Sequence, residues 1–166
     1  LRMIPNMSIM APKDENELQH MLYSANQYER LVALRYPRGE GQGVVLDETF
    51  KVLPYGKSEV LHEGKEAVLI AVGTMVKAAL GAREILAQEG FDLGVVNARF
   101  VKPLDTALLD RLISEGKMIF TLEDNVLAGG FGAGVGEYLH HAGASNTLVS
   151  FGIEDEFVEH GKVALL

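Results

Sequence analysis

The chain has 166 residues with a formal net charge of −8, 48% hydrophobic and 23% charged residues, and no cysteine, a globular composition on a chain long enough to bury a sizeable core. The acidic balance argues against a general attraction to nucleic acid or to an anionic membrane, and the absence of cysteine removes disulfides, thiolate catalysis and cysteine metal sites. The longest apolar run, Ala67 to Val72, is too short to cross a bilayer, so the expected partners are small molecules or protein, with no nucleic acid and no membrane.

The first residues, Leu1-Arg2-Met3-Ile4-Pro5, lack a methionine at position 1 and run straight into an apolar segment, so the sequence reads as a piece of a longer polypeptide. Met7 to Ala11 predicts a strand. Asp14 then stands as an N-cap with Glu17 placed to reach back, and Leu18, Met21, Leu22 and Ala25 predict one apolar face on a helix from Glu15 to Tyr28. Leu31 to Leu34 is the next strand. This β-α-β unit is too small to hold a core by itself and must lean on something else.

Between Arg35 and Gly56, glycines and prolines alternate with polar and acidic residues, the composition of an exposed connector and a domain boundary. Beyond it the spacing predicts a strand at Lys57 to Leu61, a turn at Glu63-Gly64, a buried strand at Ala67 to Val72, and a helix from Thr74, its N-cap, to Gln88, stopped at Gly90. A strand at Leu93 to Ala98, a bend at Val101 to Leu104 and a helix capped by Asp105 follow. Then come a strand at Met118 to Leu122, a glycine-rich turn at Ala128 to Gly132, a helix to about His141 and a strand at Thr147 to Ser150. Strand and helix alternate throughout, which predicts an α/β fold: a mostly parallel sheet between two helical layers, joined by right-handed crossovers.

The run Arg35-Tyr36-Pro37-Arg38-Gly39 places two guanidinium groups on a stiff turn directly after a strand, where open α/β sheets bind ligands. Two readings stand on these residues: a turn that grips a phosphate or carboxylate, or arginines that pair with carboxylates on an acidic surface. The glycines from Gly129 to Gly136 sit between a strand and a helix, yet a dinucleotide fingerprint starting at Gly130 or Gly132 needs glycine where Val135 or Glu137 stands, and no Gly-Lys-Ser/Thr follows. Small residues there suit a tight turn and close packing on a neighbouring helix or subunit. Glu123-Asp124-Asn125 reads as polar bonding at an interface. His20, His62, His140, His141 and His160 form no metal-binding pattern and read as surface or helix-end residues. Lys102 reads as part of a bend. The acidic tail from Gly152 to Gly161 reads as a docking loop anchored by Ile153, Phe157 and Val158.

Several of these segments together carry a resemblance. They are Ile4-Pro5-Asn6-Met7, Ala11-Pro12-Lys13-Asp14-Glu15-Asn16-Glu17-Leu18, Arg35 to Gly39, Asn97-Ala98-Arg99-Phe100-Val101-Lys102-Pro103-Leu104-Asp105, Glu123-Asp124-Asn125 followed by Gly129-Gly130-Phe131-Gly132, and the Asp155 to Gly161 tail. In this order and spacing the chain resembles the carboxyl-terminal part of the 1-deoxy-D-xylulose-5-phosphate synthase family, thiamine-diphosphate enzymes of the transketolase type. It departs at Glu154, where proline is common, and at Asp124, where glutamate is common.

The resemblance implies a transketolase C-terminal-like three-layer sandwich at 56–166, a linker at 41–55, and at 1–40 the last β-α-β piece of a pyrimidine-binding domain. It implies a transferase that condenses pyruvate with glyceraldehyde 3-phosphate, releasing carbon dioxide, to make a precursor of isoprenoids, thiamine and pyridoxal. Arg38 is then the substrate-phosphate residue and Arg35 its support. Thiamine diphosphate and Mg²⁺ belong to the full-length enzyme, with no catalytic, cofactor or metal residue in this chain, which by itself is expected to be inactive. A homodimer in the cytoplasm, or in a plastid stroma for a plant-type source, is also implied. The alternatives are a stand-alone binding, regulatory or dimerisation module of the same fold, or a nucleotide-binding domain centred on the glycine turn.

Overall fold

The structure, a computed structural model, describes residues 1–158. In chain order its elements are β1 Met7–Met10, α1 Glu15–Gln27, β2 Leu31–Leu34, β3 Glu59–His62, β4 Ala67–Ala71, α2 Met75–Gln88, β5 Leu93–Asn97, β6 Phe100–Lys102, α3 Thr106–Ser114, β7 Met118–Val126, α4 Phe131–His141 and β8 Leu148–Ile153. The two aspartate caps form as their positions predict: Asp14 accepts from the Glu17 backbone N–H at 2.7 Å and Asp105 from that of Leu108 at 3.3 Å. The reciprocal half of the first cap is displaced by one residue, since Glu17 accepts from the Lys13 N–H at 2.8 Å.

Strands β3-β5-β4-β7-β8 form one sheet, parallel except for the antiparallel edge strand β3. Strand alternation sends Val68 and Ile70 of β4 to one face, against Leu108, Leu109 and Leu112 of α3 and Phe131, Val135 and Leu139 of α4. Leu69 and Ala71 face the other way, against Val76 and Ala79 of α2. Both faces are covered, which is why β4 and β5 read as nearly unbroken apolar runs, and the layers are those the sequence predicts. The turn into β4 depends on Gly64 (φ +64°), where a Cβ would lie 2.0 Å from the Gly94 nitrogen.

The first β-α-β unit does lean on the rest of the chain, through a strand that the sequence pattern hid. Phe100–Lys102, of which Val101 and Lys102 were expected in a bend, forms β6 and pairs antiparallel with β1, completing a second sheet of order β2-β1-β6. Phe100 enters a small core with Met10, Met21 and Leu53, ringed by Tyr28, Val32 and Leu34.

Three further expectations are corrected. The buried face of α1 is Glu17, His20, Met21 and Ser24, while Leu22 is exposed. The reason is that polar connector backbone runs along it: Ser24 Oγ accepts from the Leu53 N–H at 2.8 Å and His20 Nδ1 from the Lys51 N–H at 3.2 Å. The 41–55 segment stays exposed over most of its length, as its composition predicts, while its backbone is tied to α1 at these points. Thr74 has helical backbone angles and no capping bond, its hydroxyl being turned toward Asp124 at 3.5 Å. Finally, β7 and β8 outrun their predicted ends because pairing resumes past a register shift at Val126 and Ile153, which puts Glu123-Asp124-Asn125 inside a strand.

Candidate functional site

The arginine turn leaves β2 at the carboxyl ends of the strands, held on both sides. At its start the Arg35 N–H donates to the Met10 carbonyl at 2.9 Å, continuing the β1 ladder. At its end three successive backbone amides, of Gln42, Gly43 and Val44, donate to the Glu15 carboxylate at 2.9, 2.6 and 2.9 Å. Glu15's own backbone amide, followed by those three, holds this carboxyl below the ordinary glutamate range. Between the anchors, Tyr36, Pro37 and Gly39 face Pro12 and Asp14 across a cleft of about 290 Å³ with Thr74 at its edge.

The two arginines part company. The Arg35 Nη1 lies 2.5 Å from Asp124 Oδ1, in an ion pair whose alignment falls short of a hydrogen bond, and Nη2 is buried without a partner among the described residues. Arg38 is exposed and makes no ion pair or hydrogen bond with any described residue, so its planar set of donors is open to an external anion.

A network that the sequence reading missed locks this segment to the large sheet. The Glu17 carboxylate, 2% exposed in its side chain, accepts from Arg99 Nε at 2.7 Å and from Asn97 Nδ2 at 2.9 and 3.0 Å. Lys13 Nζ and Arg99 Nη2 reach on to Glu59 at 3.0 and 3.1 Å. Arg99 adopts a positive φ of 57°, and its backbone N–H donates to the Asn97 side-chain oxygen at 3.2 Å. A buried Asn followed closely by Arg at a strand end was the available signal.

Burial pushes the Glu59 carboxyl up, but the Lys13 hydrogen bond, the Arg99 and Lys13 charges and the Asn97 amide together hold it below its ordinary value. A depressed carboxyl contributes stability above the unfolded value, near 4.5, that is lost as pH falls through the folded value. The wild-type chain is therefore expected to lose more stability between pH 5 and pH 3 than Glu59→Gln, in urea titrations at each pH. Equal pH slopes would remove Glu59 from the network.

Glu123 has a different role from the interfacial one expected. Its carboxylate, 2% exposed, accepts from the Phe131 and Gly132 N–H groups at 2.7 and 2.8 Å and from Asn125 Nδ2 at 2.7 Å. It is the internal anion of the α4 N-terminus. A Cβ at Gly130 would lie 2.5 Å from Glu123 Oε2, and one at Gly132 would lie 2.4 Å from Ser150 Oγ. The glycines thus let α4 sit directly on β7 and β8, and the amides a nucleotide phosphate would need are taken, which sets that reading aside.

The remaining candidates have structural partners. His20 is buried, not at the surface, with Nε2 2.9 Å from Asp47 Oδ2, and His62 on β3 meets Asp92 at 2.8 Å. Lys102 Nζ donates to the Arg2 and Ile4 carbonyls at 2.9 and 2.7 Å, and Arg2 crosses α4 to Glu137 at 2.6 Å. Among the described residues no cluster of three His, Cys, Asp or Glu side chains gathers, and no helix is long and apolar enough to cross a membrane. In the acidic tail, Ile153 packs as part of β8 while Phe157 is fully exposed, contrary to its expected anchoring role. His160, the tail from Glu159 to Gly161 and the last residues to Leu166 lie outside the described residues.

These features define a class. Residues 56–166 match the family model described as transketolase, C-terminal domain, and residues 1–43 the one described as transketolase, pyrimidine binding domain. The chain belongs to the transketolase family. Within it, the sequence is 55% identical to 1-deoxy-D-xylulose-5-phosphate synthase of Pelotomaculum thermopropionicum, over all of this chain and 26% of that protein. It is 52% identical to the same enzyme of Lysinibacillus sphaericus, over 98% of this chain and 26% of that protein. The chain thus spans about a quarter of the length of the curated relatives it matches. Among solved structures, a split-gene transketolase described as an inactive β4 tetramer is 29% identical, with a TM-score of 0.81 over 95% of this chain and 51% of that one.

Proposed function

We propose that this chain is the carboxyl-terminal quarter of an enzyme that condenses pyruvate with glyceraldehyde 3-phosphate to 1-deoxy-D-xylulose 5-phosphate and carbon dioxide. Arg38 grips the acceptor's phosphate and Arg35 supports it. The observation that carries this reading is the exposed Arg38 guanidinium, without a partner among the described residues, on a loop anchored at both ends, at the carboxyl edge of a sheet. The identity of more than half to synthases along the whole chain supports the reaction.

The residues described here do not fit thiamine diphosphate or Mg²⁺: no carboxylate cluster gathers, and the one glycine-rich helix start is occupied by Glu123. Those groups are assigned to the part of the full-length enzyme beyond this chain. The assembly proposed is a homodimer in the cytoplasm. Supplied with pyruvate, glyceraldehyde 3-phosphate, thiamine diphosphate and Mg²⁺, the chain by itself is expected to turn over nothing, whereas the full-length enzyme makes product.

In the full-length enzyme, Arg38→Ala is expected to raise KM for glyceraldehyde 3-phosphate far more than KM for pyruvate. Loss of a charge-assisted phosphate contact is worth about 1.5 to 3 kcal/mol, or roughly 10- to 150-fold. Steady-state kinetics with each substrate varied in turn is the test, and equal effects on both would overturn the assignment.

A further inference from the structure

Glu123 and Asp124 are neighbours on β7, and strand geometry turns their side chains to opposite faces. Glu123 is used up by α4. Asp124 faces the arginine turn, where its two oxygens meet Arg35 Nη1 at 2.5 Å and the Thr74 hydroxyl at 3.5 Å. The Arg35 side chain passes over Gly73, whose absent Cβ would lie 3.4 Å from Nη2, and its backbone N–H is tied to Met10. Arg35 is therefore held at the main chain by Met10 and at the side chain by Asp124, with Nη2 buried although the side chain as a whole is 39% exposed.

We propose that Asp124 is a positioning residue: it holds Arg35 as a strut, and the strut sets the direction in which the loop presents Arg38. Only Tyr36 and Pro37 intervene, and proline's fixed φ transmits the direction across them. The inference rests on the assignment of the substrate phosphate to Arg38. It also reassigns Arg35, whose support is mechanical, with no phosphate contact of its own.

The test is a double-mutant cycle in the full-length enzyme. Asp124→Asn and Arg35→Ala are each expected to raise KM for glyceraldehyde 3-phosphate roughly tenfold, with kcat and KM for pyruvate changed by no more than about twofold. The double variant should resemble either single one, because one strut has been removed in each case, and Asp124→Glu should restore most of the wild-type KM. Additive effects would overturn the proposal. So would an Asp124→Asn variant in which kcat and both KM values fall off together, the mark of general loosening. If Asp124→Asn leaves KM for glyceraldehyde 3-phosphate unchanged while Arg38→Ala raises it selectively, the strut is wrong and the phosphate assignment stands. If Arg38→Ala itself shows no selectivity, the phosphate assignment fails first.

Discussion

Glu123→Ala is expected to remove about 3 to 5 kcal/mol of stability, read as a lowered midpoint in urea denaturation followed by circular dichroism. The carboxylate is buried and gathers three donors, two of them the first backbone amides of α4. Its removal leaves those N–H groups without an acceptor at the positive end of the helix, each worth about 1 to 3 kcal/mol when stranded away from water. Glu123→Gln separates charge from shape. Its amide group presents one acceptor where the carboxylate presents two, so about half of the loss should remain. A loss below about 1 kcal/mol for the alanine variant would mean that α4 is held by its apolar face alone.

Glu17→Ala should be comparably damaging, about 3 kcal/mol or more, but its effect should be local to one side of the molecule. Arg99, Asn97 and Lys13 converge on this carboxylate, and without it their donors are left to Glu59, 30% exposed in its side chain, and for Lys13 also to Asp14 at 3.8 Å. Hydrogen exchange read by mass spectrometry is the appropriate measurement. Protection should fall most in residues 7–34, which Glu17 ties to the large sheet, and least in β4 and β7, whose cores do not involve it. A uniform fall across the chain would show that the network supports the fold as a whole rather than the seating of the arginine turn.

Much of this architecture was readable because it is local and periodic. The alternating strands and helices follow from apolar runs bounded by glycine, and the Asp14 and Asp105 caps from a short polar residue placed just ahead of an apolar stripe. The failures share a cause, a partner far away in the chain. Phe100-Val101-Lys102 is too short to show a period, and it is a strand only because β1 lies beside it. Leu22 was expected inside, and Glu17 only as part of the helix cap, because periodicity assumes an apolar cover, whereas α1 is covered by connector backbone and by Arg99. Glu123 reads as a loose acid until α4 folds back onto it. The arginine turn was legible as a pair of competing readings, and the ion-pair one holds for Arg35, which meets Asp124, whereas Arg38 meets no described residue.

The crossing of β6 into the first sheet has a consequence for how the polypeptide behaves when cut. Severing the exposed stretch near Glu48-Thr49 would break the covalent path between the two ends of the molecule and none of what holds them together. Strand pairing, the Phe100 cluster and the Glu17 network all bridge the gap. Two separately made pieces should therefore find each other and restore the native form by complementation, with an affinity that reports directly on the strength of that seam.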